Sequence, residues 1–304
     1  MNSASVIELG RPVAPRRTLL RYWQGTLRGS EFTWAIAFVI PYIAVFFAFV
    51  VYPVIYGGWM GSTPRLYGEL FSDPIYQETV VNTLLFLAFG VNVKLFLALL
   101  MSGFFMHPGW PTKVLLMIFV LPWAVPALPT FISIHWMLNG EWGLVNNALY
   151  TLLGVEGPSW LNTRWLALGA AICSHVWKWL PFWTVILLAG RMSIPHEIMD
   201  AAKVDGATGL RRFIYVTFPL LANLYLVLTL LATIFLLGDF NTVTFVTGGG
   251  PANSTHVLAT LGIRDAYDMG HPELGMAAVL SALPLMIPLV IILMRKLRTT
   301  EVQL

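Results

Sequence analysis

The sequence predicts an all-α integral membrane protein with six transmembrane helices and both termini on the cytoplasmic side. Three observations carry that expectation. The 304-residue chain is 57% hydrophobic and 11% charged, where a soluble domain carries roughly a quarter charged residues. Its apolar residues fall in long runs, and about 20 consecutive apolar residues cross a bilayer core as a helix. Its basic residues are distributed unevenly around those runs. The mean hydropathy, +0.73, agrees with the first observation.

The six runs are Trp34–Tyr56, Val80–Phe104, Val114–Met137, Trp165–Gly190, Val216–Leu237 and Gly275–Met294. A spanning segment must satisfy its own backbone hydrogen bonds, so each is expected to be helical. The first run is too long for the core of a signal peptide and reads as a retained span. The second carries Lys94. Prolines 41 and 53 lie in the first run, 122, 126 and 129 in the third, 181 in the fourth, and 284 and 288 in the sixth. A membrane bundle tolerates them where neighbours or a cavity satisfy the freed groups.

Orientation follows from Lys and Arg, which concentrate on the cytoplasmic side. One side collects Arg11, Arg16, Arg17, Arg21, Arg28, Lys113, Arg191, Lys203, Arg211, Arg212, Arg295, Lys296 and Arg298. The other has Arg65, Arg164 and Arg264. The expected organisation is a basic cytoplasmic tail over 1–30, a transmembrane domain over 31–296 with a cytoplasmic loop at about 191–215, and a cytoplasmic tail over 297–304.

Several chemistries lack their residues. One cysteine, Cys173, allows no internal disulfide. There is no G-x-x-x-x-G-K-[ST], no HExxH and no paired-Cys spacing. No catalytic residue, metal ligand or bound cofactor is therefore expected. A net charge of +3 gives no argument for a nucleic-acid partner. Ser174 and His175 are adjacent and point to different faces, a poor dyad for an intramembrane enzyme. No acidic residue lies well inside a span, against an ion-coupled secondary transporter.

Two places hold candidate function. The cytoplasmic loop contains a short helix expected over 194–206. Ser193 is expected to cap it, with Pro195 in its first turn. Glu197 and Asp200 suit its positive end. Ile198, Met199 and Ala202 share one apolar face, and Gly206 ends the helix. Its surface is kept small by Ala201, Ala202 and Ala207. It reads either as a helix shaped for a partner's groove or as an amphipathic connector. The second place is the fourth run, where His175, Lys178, Trp179 and Phe182 share one helical face. Aromatic planes beside hydrogen-bond donors suit sugars. Asp239 supplies an acceptor or pairs with Lys178. The other reading has Lys178 snorkelling outward above an aromatic belt. Lys94 is expected to be structural.

Asp200-Ala201-Ala202, then Asp205-Gly206-Ala207, then Phe213 and Pro219 resemble the EAA loop of ABC importer permeases, the binding-protein-dependent inner-membrane components. The leading Glu of that pattern is Asp200 here. Thr247 to Pro251, including Gly249, Gly250 and Pro251, with Asn253-Ser254-Thr255 beyond, is similar to the GGP segment of the carbohydrate-uptake subfamily. The maltose-transporter F-type, glycerol-phosphate A-type and trehalose-transporter A-type subunits belong there. Asn82-Thr83, Leu121-Pro122-Trp123, Trp136, Gly143 and Asn146-Asn147 are also similar to that group.

The resemblance implies a type I ABC importer permease in a bacterial inner membrane, carrying a sugar or sugar-like solute. It implies a second homologous permease, two ATPase subunits that use ATP and Mg, and an extracytoplasmic binding protein. It implies that Glu197, Asp200–Ala202 and Asp205–Ala207 couple to the ATPase. It also places His175–Phe182 and Leu236, Asp239 and Asn241 along the substrate path. A cation at Lys178 facing that path would favour an anionic solute such as glycerol phosphate or a sulfonated or phosphorylated sugar.

Overall fold

The computed structural model describes residues 30–301. The basic tail expected over 1–30 lies outside the described residues apart from Ser30, as do residues 302–304. The chain divides into two units between Tyr56 and Gly57. In the first, α1 (Ser30–Phe46) passes through one π-helical turn, Phe47–Val51, into α2 (Tyr52–Met60), which continues beyond the unit boundary. Trp34–Met60 is an unbroken apolar helix of 27 residues, matching the first expected span.

The second unit contains α3 (Pro64–Ser72), α4 (Pro74–Phe104), α5 (Trp110–Ala124), α6 (Ala127–Met137), α7 (Leu144–Leu153) and α8 (Arg164–Met192). Then follow α9 (His196–Val204), α10 (Gly209–Arg212), α11 (Phe218–Leu237), α12 (Asn241–Val246), α13 (Leu258–Ile263), α14 (Pro272–Leu280) and α15 (Leu283–Glu301). Phe213–Thr217 and Arg264–Asp268 are π-helical turns. No strand occurs among the described residues.

Besides the first, three helices among the described residues are long and apolar enough to cross a membrane: α4, α8 and the continuous stretch Gly209–Leu237. They match the second, fourth and fifth expected spans. The third expected span is broken. Helices α5 and α6 meet at 92°. Pro126 at the break restricts Val125 to its extended conformation, ψ 141°, which ends α5. The sixth expected span is also divided: α14 ends at Leu280, and α15 restarts at Leu283 with Pro284 in its first turn.

The core forms where α4, α8 and α11 pack together. Phe86, Leu95 and Leu99 of α4 meet Leu168, Trp183 and Leu187 of α8 and Leu221 and Leu228 of α11. Gly90 makes the approach possible: a Cβ there would stand 2.7 Å from Leu236 Cδ1. A smaller cluster joins Leu70, Tyr76, Leu258, Leu261 and Ala278.

Candidate functional site

Polar groups buried along α4 and α8 converge on the C-terminal end of α11. His175, Trp179, Phe182 and Trp183 recur on one face of α8 and line a cavity of about 420 Å³. Lys94 of α4 and Ile234, Phe235, Gly238, Asp239 and Asn241 complete its wall. Lys94 Nζ donates to His175 Nε2 at 3.0 Å. That leaves the ring proton on Nδ1, which donates to Asp239 Oδ2 at 2.8 Å. The Thr242 hydroxyl donates to the same carboxylate oxygen, and the Thr242 backbone N–H to the other oxygen at 3.2 Å. Lys94 and His175 are 1% and 3% exposed. The chain from cation through imidazole to carboxylate is thus shut off from lipid and balanced in charge.

Donors remain beside this cavity. Lys94 has three N–H groups, of which His175 takes one. Trp179 Nε1 is buried and has no hydrogen-bond partner among the described residues. Phe182 stacks on Trp123 with ring centroids 5.7 Å apart.

Two other path candidates, Leu236 and Lys178, go elsewhere. Leu236 is a core residue packed at Gly90. Asp239 pairs with His175, so the alternative pairing with Lys178 does not form. Lys178 sits on α8 but turns to the α5–α6 break, where Nζ donates to Pro122 O at 2.6 Å and to Val125 O. The reason is in the chain itself. In a helix those two carbonyls would accept from residues 126 and 129, and both are proline, which has no N–H. Lys178 supplies the two missing donors; it is buried rather than snorkelling outward, and it does not line the cavity beside Trp179. Lys94, expected to be structural, is the cation that lines the cavity. Its signal in the sequence was its place inside a span, where an ionisable residue faces a cavity or a partner.

The segment over 247–256 packs against the N-terminal half of α4. Backbone φ is +62° at Gly248 and +78° at Gly249. A Cβ on Gly249 would lie 2.1 Å from the His256 ring, so no side chain fits there. The Thr255 hydroxyl donates to Gly250 O at 2.6 Å, and its oxygen lies 2.9 Å from Thr247 Oγ1. Asn82 Nδ2 donates to Ser254 O and His256 O at 2.8 and 3.0 Å, and Leu258 N donates to Thr83 Oγ1 at 3.0 Å. The Asn82-Thr83 pair therefore holds the GGP segment against α4.

In the loop after α8 the short helix is α9, His196–Val204. Ser193 does not cap it: it lies before the cap position, and its hydroxyl donates to Gly190 O at the end of α8. The residue at the cap position is Pro195, which makes no side-chain capping bond. The C-terminal end is closed by paired bonds, Ala207 N to Ala202 O and Gly206 N to Lys203 O, with Gly206 at φ +75°. Ala202 is buried, while Glu197, Asp200, Ala201, Asp205 and Gly206 are exposed. Asp200 pairs with Lys203 at 2.7 Å, and that hydrogen bond holds its carboxyl below the usual value.

A bundle of long apolar helices with a polar cavity between them is the build of a polytopic membrane protein. Residues 94–298 match the family described as "Binding-protein-dependent transport system inner membrane component". The chain belongs to that family. It is 31% identical to the trehalose/maltose transport system permease protein of Thermococcus litoralis, over 79% of this chain and 85% of that protein. It is 37% identical to the sulfoquinovosyl glycerol transport system permease protein of Agrobacterium fabrum, over 64% of this chain and 62% of that relative's length. Its fold matches a chain of a bacterial ABC transporter involved in the import of alginate, with TM-score 0.75, 22% identity and coverage of 92% and 99% of the two chains.

Proposed function

We propose that this chain is a transmembrane subunit of an ATP-driven importer for a carbohydrate, and that the cavity beside Trp179 receives the solute. The observation that carries this reading is the unpartnered Nε1 of Trp179, a residue that lines the cavity together with Phe182, Trp183, Phe235 and Lys94. Sugar rings stack on aromatic faces while their hydroxyls take up buried donors. The names of the relatives support the solute class.

In this reading six spans cross the bacterial inner membrane, with both termini, the tails over 1–30 and 297–304 and the loop at 191–215 in the cytoplasm. A second, homologous permease supplies the other half of the path. Two ATPase subunits bind ATP and Mg; this chain binds neither. The exposed acids of α9, with Gly206 and Ala207, enter the ATPase and follow its closure. An extracytoplasmic binding protein delivers the solute at the end carrying Gly249, Gly250 and Pro251.

A neutral polyhydroxyl solute is favoured over an anionic one. Lys178 is committed to Pro122 and Val125, and the charge of Lys94 is balanced by Asp239 through His175. The test is Trp179→Phe in the reconstituted complex, with sugar-stimulated ATPase activity measured against sugar concentration. Loss of one solute hydrogen bond raises the half-saturating concentration about fivefold at an unchanged melting temperature. An identical saturation curve for every sugar that stimulates the wild type removes Trp179 from the path.

A further inference from the structure

A second cavity, of about 550 Å³, lies under α9 at the other end of α4 and α8. Arg191, Lys203, Arg212, His107 and Thr217 form its polar lining, and no carboxylate faces it. Arg191 is held in place: Nε donates to Ser102 Oγ at 2.8 Å, one terminal nitrogen to Leu99 O at 2.9 Å, and the guanidinium stands 5.4 Å from the Phe213 ring centroid. Of its five N–H groups three remain. Arg212 is half-buried, and neither arginine is among the ion pairs found for the described residues. Lys203 is already paired with Asp200 and adds little net charge. The cavity therefore presents two uncompensated arginines.

Depth identifies what they meet. Leu99 and Ser102 are buried in the last turns of α4, inside its end at Phe104. The Arg191 guanidinium bonded to them thus lies level with the end of a span, where headgroups sit, rather than out in water. Met106, which lines the cavity, and Leu210 and Ile214 nearby in sequence are exposed apolar side chains. Basic pockets at the cytoplasmic ends of membrane helices suit anionic headgroups, and guanidinium matches phosphate geometry. A water-soluble partner would instead meet the exposed acids of α9, Glu197, Asp200 and Asp205.

We propose that this cavity binds the headgroup phosphate of an anionic phospholipid, held by Arg191 and Arg212 beneath α9. Met199 of α9 lines the same cavity, so the bound headgroup touches the helix assigned above to the ATPase. The lipid site stands on this chain's geometry, and its placement at the cytoplasmic face rests on the orientation proposed above. Its test needs no transport, so its failure is distinct from failure of the importer reading.

The full chain, with its accompanying subunits, is purified from mixed phosphatidylglycerol and phosphatidylcholine, and retained lipid is read by native mass spectrometry. Wild type retains phosphatidylglycerol over phosphatidylcholine. Arg212→Gln loses about fivefold of that retention, while the neighbouring exposed Arg211→Gln keeps it. Equal retention in wild type and Arg212→Gln overturns the proposal. If Arg212→Gln does not fold, the melting temperature of the wild type decides: phosphatidylglycerol raises it above phosphatidylcholine, and equal values overturn the proposal. Stabilisation by inorganic phosphate without retention of phosphatidylglycerol assigns the site to free phosphate and overturns the lipid.

Discussion

Lys178 and Lys94 exchange the roles that position along the chain suggests for them. Each lies inside a span, and nothing local separates them. The difference is set by prolines far away in sequence, at 126 and 129, whose missing N–H groups draw Lys178 to Pro122 and Val125. Lys178→Met is accordingly expected to destabilise the fold by about 1–3 kcal/mol for each carbonyl left bare. A lowered melting temperature in detergent, with unaltered solute preference in whatever protein survives, is the expected result. A variant that melts like wild type and prefers a different solute would return Lys178 to the path. His256, in the connection between α12 and α13, gives a pH dependence. Burial, with Arg264 adding to it, pushes its imidazole from 6.5 down to about 4. Between those values the unfolded chain binds the proton and the folded one does not, so stability falls as pH falls through that window. His256→Gln is expected to flatten the melting temperature over the same range; an unchanged acid slope assigns it to another group.

Among elements, the four long helices were legible from run length alone, because the bilayer fixes how many apolar residues a span needs. The third and sixth spans were not, because hydropathy is blind to direction: Val114–Met137 is apolar throughout and still turns through 92°. Its prolines were visible, but the angle depends on which neighbour satisfies the freed carbonyls. The end of α9 was legible at Gly206, where only glycine adopts φ +75° without strain. Its start was not, since the helix begins at His196 with Pro195, not Ser193, at the cap position. Asp205→Lys reverses one exposed charge at the tip of α9 without touching a buried group. It is expected to leave the melting temperature unchanged and to lose the ATPase on affinity purification in mild detergent. Retention of the ATPase at wild-type yield would exclude this end of the helix from coupling.

At the scale of the whole molecule, the lateral surface of the bundle is apolar and the polar groups are inside. A groove between α4 and α8, lined by Phe89, Val93, Cys173, Val176 and Trp177, is open and nearly free of polar surface. In water such a patch would drive association; in a bilayer it needs only acyl chains or another apolar helix. The positions of the two cavities along α4 and α8 were not legible, because each is assembled from residues tens of positions apart. The candidate pairs were visible only where a single helix carried both members, as with His175 and Trp179.

The bond from Lys178 to the α5–α6 break also bears on how the protein is made. Its two acceptors precede it by 56 and 53 residues. During synthesis the broken pair emerges from the ribosome well before its donors exist. Until α8 arrives, Pro122 and Val125 expose bare carbonyls that hydrocarbon does not accommodate. The pair must wait beside the translocon, in contact with water or protein, for the helix that completes it. A nascent chain stopped short of residue 178 is therefore an intermediate that cannot be released into lipid, and arrested chains ending on either side of that residue are expected to differ in crosslinking to the translocon.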